Sequence, residues 1–184
     1  MNDNRFLFVD LDGTLIKEDL SNLAFSHSLK KFPIRTLIYL FICLFRGKPY
    51  LKEKISKNFI IPFKNLTFNK AAFDFIREQK NRHRVVYLIS GSHQILVDQM
   101  GRNLNIFFES FGTRDNFNMV GHNKVHFIKE HLKIHDFDYL GNSHKDLPIW
   151  KYTKKSIHTN ATQRLIKIIK SLDFEDQEIP ANFS

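Results

Sequence analysis

Ten residues near the start of the chain, Phe6-Leu7-Phe8-Val9-Asp10-Leu11-Asp12-Gly13-Thr14-Leu15, constrain its fold more than any other stretch. Four apolar residues in a row suit a strand covered on both faces, as in a parallel sheet with helices above and below. The strand then runs into two acids and a turn. Carboxylates at the lip of an apolar sheet lose hydration that a cation or hydrogen-bond donors must replace. A bound metal would supply it.

The rest of the chain divides into two textures. From Ile16 to about Phe68 the pattern is helical: Leu20, Leu23, Ala24 and Leu29 share a face, and Lys52 to Phe59 reads as a polar-faced helix. Between them lies an apolar run, Leu37 to Phe45, with Lys30, Lys31, Arg46 and Lys48 at its flanks. It is too short for the roughly twenty residues that span a bilayer. A run apolar on all sides predicts burial within a helical insertion, while the basic flanks also suit an interfacial helix at lipid headgroups. Gly47-Lys48-Pro49 is expected to stop this helix.

From Asn69 onward helices alternate with strands. The second strand is expected at 84–90, the third at 105–110, the fourth at 138–140 and the fifth at 156–158, with a last helix over 162–172 and a frayed acidic tail from Asp173. This alternation predicts an α/β fold, a Rossmann-like doubly wound parallel sheet, with a small all-helical cap inserted after the first strand. The expected core is 1–16 plus 69–172, the cap 17–68, and 173–184 a flexible tail. A chain of 184 residues can bury such a core.

Ligands of open parallel sheets gather outside the carboxyl ends of the strands. Those ends carry Asp10 and Asp12, then Ser90, then Gly141-Asn142-Ser143-His144-Lys145-Asp146, and Lys124 opens the helix before the fourth strand. Acids, an amide, a hydroxyl and a cation thus converge on one point. Taken in order, Asp10-Leu11-Asp12-Gly13-Thr14-Leu15, Leu88-Ile89-Ser90-Gly91-Ser92, Lys124 and Gly141 to Pro148 resemble the four motifs of the haloacid dehalogenase superfamily, most of whose members are magnesium-dependent phosphatases. The insertion between the first two motifs is similar to that of phosphoserine-phosphatase-like members with a helical cap. The wording around Asp19-Leu20 and Asp146-Leu147-Pro148-Ile149-Trp150 resembles the domains of this superfamily that are fused to UbiA-like membrane prenyltransferases.

The resemblance implies a role for each residue. Asp10 would attack phosphorus and form an aspartyl-phosphate, and Asp12 would protonate the leaving oxygen and then activate water. Ser90 and Gly91 would hold phosphoryl oxygens, and Lys124 would offset the negative charge at Asp10 and the phosphate. Mg²⁺ would be held by Asp10, Asp12 through its carbonyl, Asn142 and Asp146, a set of hard oxygen donors. Asn142 departs from the pattern: the superfamily commonly carries Asp there, and an amide supplies oxygen without charge, so metal should bind less tightly unless Asp146 compensates. A module that binds a membrane prenyltransferase without catalysis is the rival expectation.

The formal charge of +9 is spread over dispersed lysines, with no RNA-binding or zinc-finger signature, so no specific nucleic-acid site is expected. The charge also admits an anionic membrane surface or a pocket for anionic substrates, but dispersed lysines favour a weakly directed basic surface. His122, His126 and His131 make no ligand motif. Cys43 stands alone and no signal-peptide pattern precedes the first strand, which predicts a cytoplasmic setting, peripheral to the inner membrane face if the apolar helix touches lipid. The expected substrate is a phosphorylated small molecule or a lipid-linked phosphate.

Overall fold

In a computed structural model describing residues 5–114, 116–172 and 175–184, strand β1 (Phe6–Val9) lies at the centre of a six-stranded sheet. The others are β2 (Val86–His93), β3 (Ser110–Thr113), β4 (Phe137–Gly141), β5 (Lys155–Thr159) and β6 (Glu175–Ile179). Their order is β3-β2-β1-β4-β5-β6, and every pair is parallel. This is the expected doubly wound α/β architecture.

The apolar run of β1 follows from that central place. Leu7 and Val9 point to one face, where they pack with Ile76, Leu88 and Leu96, and Phe8 points to the other, among Tyr87, Phe137, Tyr139 and Trp150. Helices α3 (Lys70–Asn81), α4 (Gln94–Leu104) and α5 (Gln163–Lys170) are capped by Asn69, His93 and Thr162, each of whose side chains accepts a backbone N–H of its first turn. Asp138, fully buried on β4, pairs with Arg84 and Arg5 and accepts Lys155 N at 2.9 Å.

The third strand lies later than its aromatic run suggested. Asn105 turns left-handed (φ 48°) to end α4, Phe108 N donates to Val86 O, and pairing starts only at Ser110, with Phe108 exposed. The expected flexible tail is also corrected: residues 175–179 form β6, paired with β5 over five positions. Beyond it the chain returns to the insertion's exit, where Lys70 N donates to Asn182 O at 2.8 Å and Phe68 exchanges backbone bonds with Ser184. Asp173 lies outside the described residues.

The segment after β1 leaves and rejoins the core at adjacent points, Ile16 bridging Phe68 and Lys17 N donating to Thr67 O at 2.9 Å. It holds two helices, α1 (Leu20–Lys31) and α2 (Pro33–Ser56). Gly47 does not end α2; it kinks it, with φ 78° and ψ 172°, and the helix resumes into the stretch that carries Lys52. The left-handed φ is one that glycine adopts without penalty.

Burial of the apolar run is the larger correction. Thr36 is buried and bonds Ser28 Oγ at 2.7 Å, fixing that face of α2 on α1, but Leu37, Ile38, Phe41, Leu44 and Phe45 stand on the opposite side, 51–78% exposed. Two helices alone cannot enclose a helix that is apolar all round; α1 covers one face and the other faces out. No helix among the described residues is long and apolar enough to cross a membrane.

Candidate active site

Each parallel strand delivers its last residues to the same rim, and there a cavity of about 540 Å³ opens between the sheet and the helical insertion. Asp10, Asp12, Gly91, Lys124, Asn142 and Asp146 all line it. Ser90 does not. Its side chain is fully buried, donating to Asp12 Oδ2 at 2.9 Å and accepting Ser92 N at 3.0 Å, and Ser92, two residues on, reaches the cavity instead.

Asp10 follows directly on β1 and its backbone N–H donates to Leu140 O at 2.9 Å, so the sheet itself fixes its position. Its Oδ1 accepts from Lys124 Nζ at 2.6 Å, with both side chains buried. Burial pushes the Asp10 carboxyl up to about 7, with Lys124 pulling it down and Asp146 and Asp12 adding to the rise. The cation beside Asp10 thus offsets a cost that burial would otherwise impose in full.

Asp12 is held by three donors: Leu20 N on Oδ1 at 2.8 Å, and Ser90 Oγ and Ser92 Oγ on Oδ2 at 2.9 and 2.8 Å. Its carboxyl is raised by burial and by Asp19, against the pull of those donors. The Leu20 bond ties this loop to the first turn of α1, so the same acid belongs to the core and to the contact with the insertion. Gly13, at φ 77°, lets the chain turn sharply here, and a Cβ on it would lie 2.2 Å from Asn142 Nδ2. A larger residue here would strain the backbone and push Asn142 aside.

Tyr139 and Lys124 complete a chain of buried polar groups. The Tyr139 hydroxyl accepts from Lys124 Nζ at 2.7 Å and donates to Asp146 Oδ1 at 2.8 Å. Burial and the two carboxylates hold Tyr139 well above the usual phenol range, so it stays a neutral donor. Asp146 Oδ2 accepts Asn142 N, Ser143 N and Ser143 Oγ at 3.0–3.1 Å, which folds the 142–146 loop around this carboxylate.

Lys52, on the resumed part of α2, reaches across to donate to Gly91 O at 2.6 Å and Asn118 Oδ1 at 2.7 Å. Burial pulls it down to about 8, Asp12 and Asp19 pulling the other way. With Lys17, Lys48, Lys124 and Lys145 it sets five lysines around the cavity against Asp10, Asp12, Asp19 and Asp146. The lysines offset the carboxylates, so the cavity offers cations to a bound anion. Sequence reasoning missed Lys52, Ser92 and Tyr139. Ser92 was legible in principle, since it shares a strand face with Ser90; a lone lysine in a polar helix and a tyrosine within a strand carry no such signal.

The donor set suits a small hard cation. Asp10 and Asp146 would offer carboxylates, Asn142 an amide oxygen and Asp12 its carbonyl, and all four line the cavity with no histidine or thiol among them. No cluster of three or more His, Cys, Asp or Glu that could hold a metal occurs among the described residues. The oxygens of Asp146 already accept four hydrogen bonds, so a cation held here would have to displace one of them or reach the carboxylate through water.

The sequence profile of one family, haloacid dehalogenase-like hydrolase, matches residues 7–151. A protein of Sinorhizobium fredii, uncharacterized protein y4nM, is 33% identical over 149 residues, which is 79% of this chain and 28% of that protein. Among solved structures, a protein with unknown function from Bordetella pertussis Tohama I superposes with a TM-score of 0.67 at 14% identity, over 94% of this chain and 97% of that one. A substrate-bound phosphoserine phosphatase gives 0.61 at 17% identity, over 95% and 92% of the two chains. A phospho-aspartyl intermediate analogue of phosphoserine phosphatase gives 0.58, also at 17% identity, over 96% and 95%. At these identities the likeness is one of fold.

Proposed function

The chain belongs to the haloacid dehalogenase-like hydrolase family, and on that footing we propose that it is a Mg²⁺-dependent phosphomonoester hydrolase acting through an aspartyl-phosphate on Asp10. The observation that carries this reading is the buried Asp10–Lys124 pair at the floor of a lysine-lined cavity. A carboxylate is a weak nucleophile toward a dianion unless the approaching charge is offset, and Lys124 does that from one side.

In the first step an Asp10 oxygen forms a bond to phosphorus as the bond to the leaving oxygen breaks, and that oxygen takes a proton from Asp12. In the second, Asp12 takes a proton from water, the water oxygen attacks the same phosphorus, and the Asp10–phosphorus bond breaks to release phosphate. Burial raises Asp12, which favours the protonated form that the first step consumes. Gly91, Ser92 and Lys52, which line the cavity, would orient phosphoryl oxygens. Mg²⁺ held by Asp10, Asn142, the Asp12 carbonyl and Asp146 would supply Lewis-acid polarisation of the phosphoryl group.

For the rest of the substrate we favour a lipid- or prenyl-linked group, supported by the apolar helix α2 beside the cavity. A specific observation supports a second reading: Asn142 lowers the charge of the metal site, as would suit a domain that binds a membrane prenyltransferase without turnover. The test is hydrolysis of p-nitrophenyl phosphate and of a panel of small and lipid-linked phosphomonoesters with and without Mg²⁺. Metal-dependent turnover lost in Asp10→Asn supports the hydrolase; metal binding without turnover on any ester supports the module.

A further inference from the structure

The first half of α2 presents a feature that hydrolysis does not use. Ile34, Leu37, Ile38, Phe41, Leu44 and Phe45 fall at helical spacings of three and four and form one stripe, each side chain between 51% and 78% exposed. Soluble surfaces scatter such residues singly; a contiguous stripe marks a contact surface. The opposite face, through Thr36, is fixed on α1, so the stripe cannot turn inward without undoing that packing.

The charge around the stripe identifies its partner. From Leu20 to Lys48 the chain has no acidic residue and five basic ones, Lys30, Lys31, Arg35, Arg46 and Lys48. Lys30 and Lys31 end α1 beside the stripe's start, and Arg46 and Lys48 flank its end. A second copy seated on the same face would set these cations against their own images, and like charges opposed in this way repel. An anionic bilayer offers apolar depth for the stripe and negative headgroups for its flanks.

We propose that the Pro33–Arg46 half of α2 lies in the plane of an anionic membrane surface, its apolar stripe below the headgroups and its basic flanks among them. The helix from Pro33 to Arg46 is about 21 Å long at 1.5 Å per residue, which suits lying in the interface and falls short of crossing it. The kink at Gly47 then turns the chain from the membrane to the cavity wall, where Lys48 and Lys52 stand. The active-site opening is thereby held near the lipid surface.

This inference stands apart from the catalytic reading, and the experiment keeps them separate. The full chain is floated with vesicles of phosphatidylcholine alone and with vesicles containing phosphatidylglycerol, at low and high salt, and its sedimentation is measured without lipid. Binding to the anionic vesicles that weakens with salt is expected, with little binding to the neutral ones. Phe41→Glu and Phe45→Glu together are expected to cut partitioning roughly tenfold or more, since both apolar contacts are lost. Their thermal unfolding and p-nitrophenyl phosphate turnover should be unchanged, because neither residue is buried or lines the cavity. Arg35→Gln with Arg46→Gln tests the electrostatic half and should reduce the salt dependence. Absence of binding at low salt, or undiminished binding by the Phe variants, would overturn the proposal. So would a lipid-free dimer that the Phe substitutions dissolve, which would give the stripe to a second copy.

Discussion

Replacing Tyr139 by Phe removes one oxygen atom from the centre of the site and keeps the ring that packs against Phe8 and Trp150. The hydroxyl is neutral at any working pH, so the change alters no charge. It does remove two bonds to charged partners, one from Lys124 at 2.7 Å and one to Asp146 at 2.8 Å. Each such bond contributes about 1.5–3 kcal/mol when buried. The losses do not sum in full: Lys124 keeps Asp10 at 2.6 Å, and Asp146 Oδ1 keeps Lys124 at 3.8 Å. A net destabilisation of about 2–3 kcal/mol results, which for a domain of this size lowers Tm by roughly 4–12 °C.

Thermal unfolding by circular dichroism reads that shift, and urea titration should show a lower midpoint at unchanged slope. Turnover should fall as well, because Asp146 organises the loop that presents Asn142. A Tm within about 1 °C of wild type together with unchanged kcat would refute the reasoning, since it would mean that the hydroxyl bridges neither charge.

Three further outcomes follow from other parts of the structure. Lys52 is charged below about 8 and neutral above it, so KM for a phosphomonoester should rise as pH passes 8, and Lys52→Arg, which keeps its charge, should flatten that rise. Asn142→Asp adds a carboxylate to the metal set, so isothermal titration should find tighter Mg²⁺ binding; an unchanged or weaker affinity would remove residue 142 from that set. Asp138→Asn removes the carboxylate that the buried Arg84 guanidinium bonds, and urea unfolding should show a loss of about 3–5 kcal/mol with the active-site residues untouched.

The parts of this molecule legible in its sequence are those where one physical demand dominates. A strand buried on both faces must be apolar, which exposed β1 and β2 at once, and a parallel sheet must gather its polar residues at the strand ends, which pointed to Asp10, Asp12 and Lys124. β6 was hidden for the opposite reason. Its residues Glu175-Asp176-Gln177-Glu178 lie on a sheet edge and are largely solvated, so they show neither an apolar run nor an alternating pattern. Ser90 and Ser92 share a strand face and both donate to Asp12, so period two could not say which one reaches the cavity.

Helix α2 shows a different limit. Composition records that a helix is apolar all round, but whether its second face is covered depends on how many neighbours the fold supplies, and here α1 covers only one. The aromatic run before β3 misled similarly, because Ile106 and Phe107 pack against the core from a loop and not from a strand.

The account turns on Asp10 as the atom that takes the phosphoryl group. Its most direct measurement is a rapid acid quench of the full chain during turnover of a phosphomonoester with Mg²⁺, followed by proteolysis and peptide mass spectrometry. The account predicts one phosphoryl group on the Asp10 side chain, absent when Asp10→Asn is treated alike. A phosphoryl group on another residue, or hydrolysis by Asp10→Asn at the wild-type rate, would contradict it.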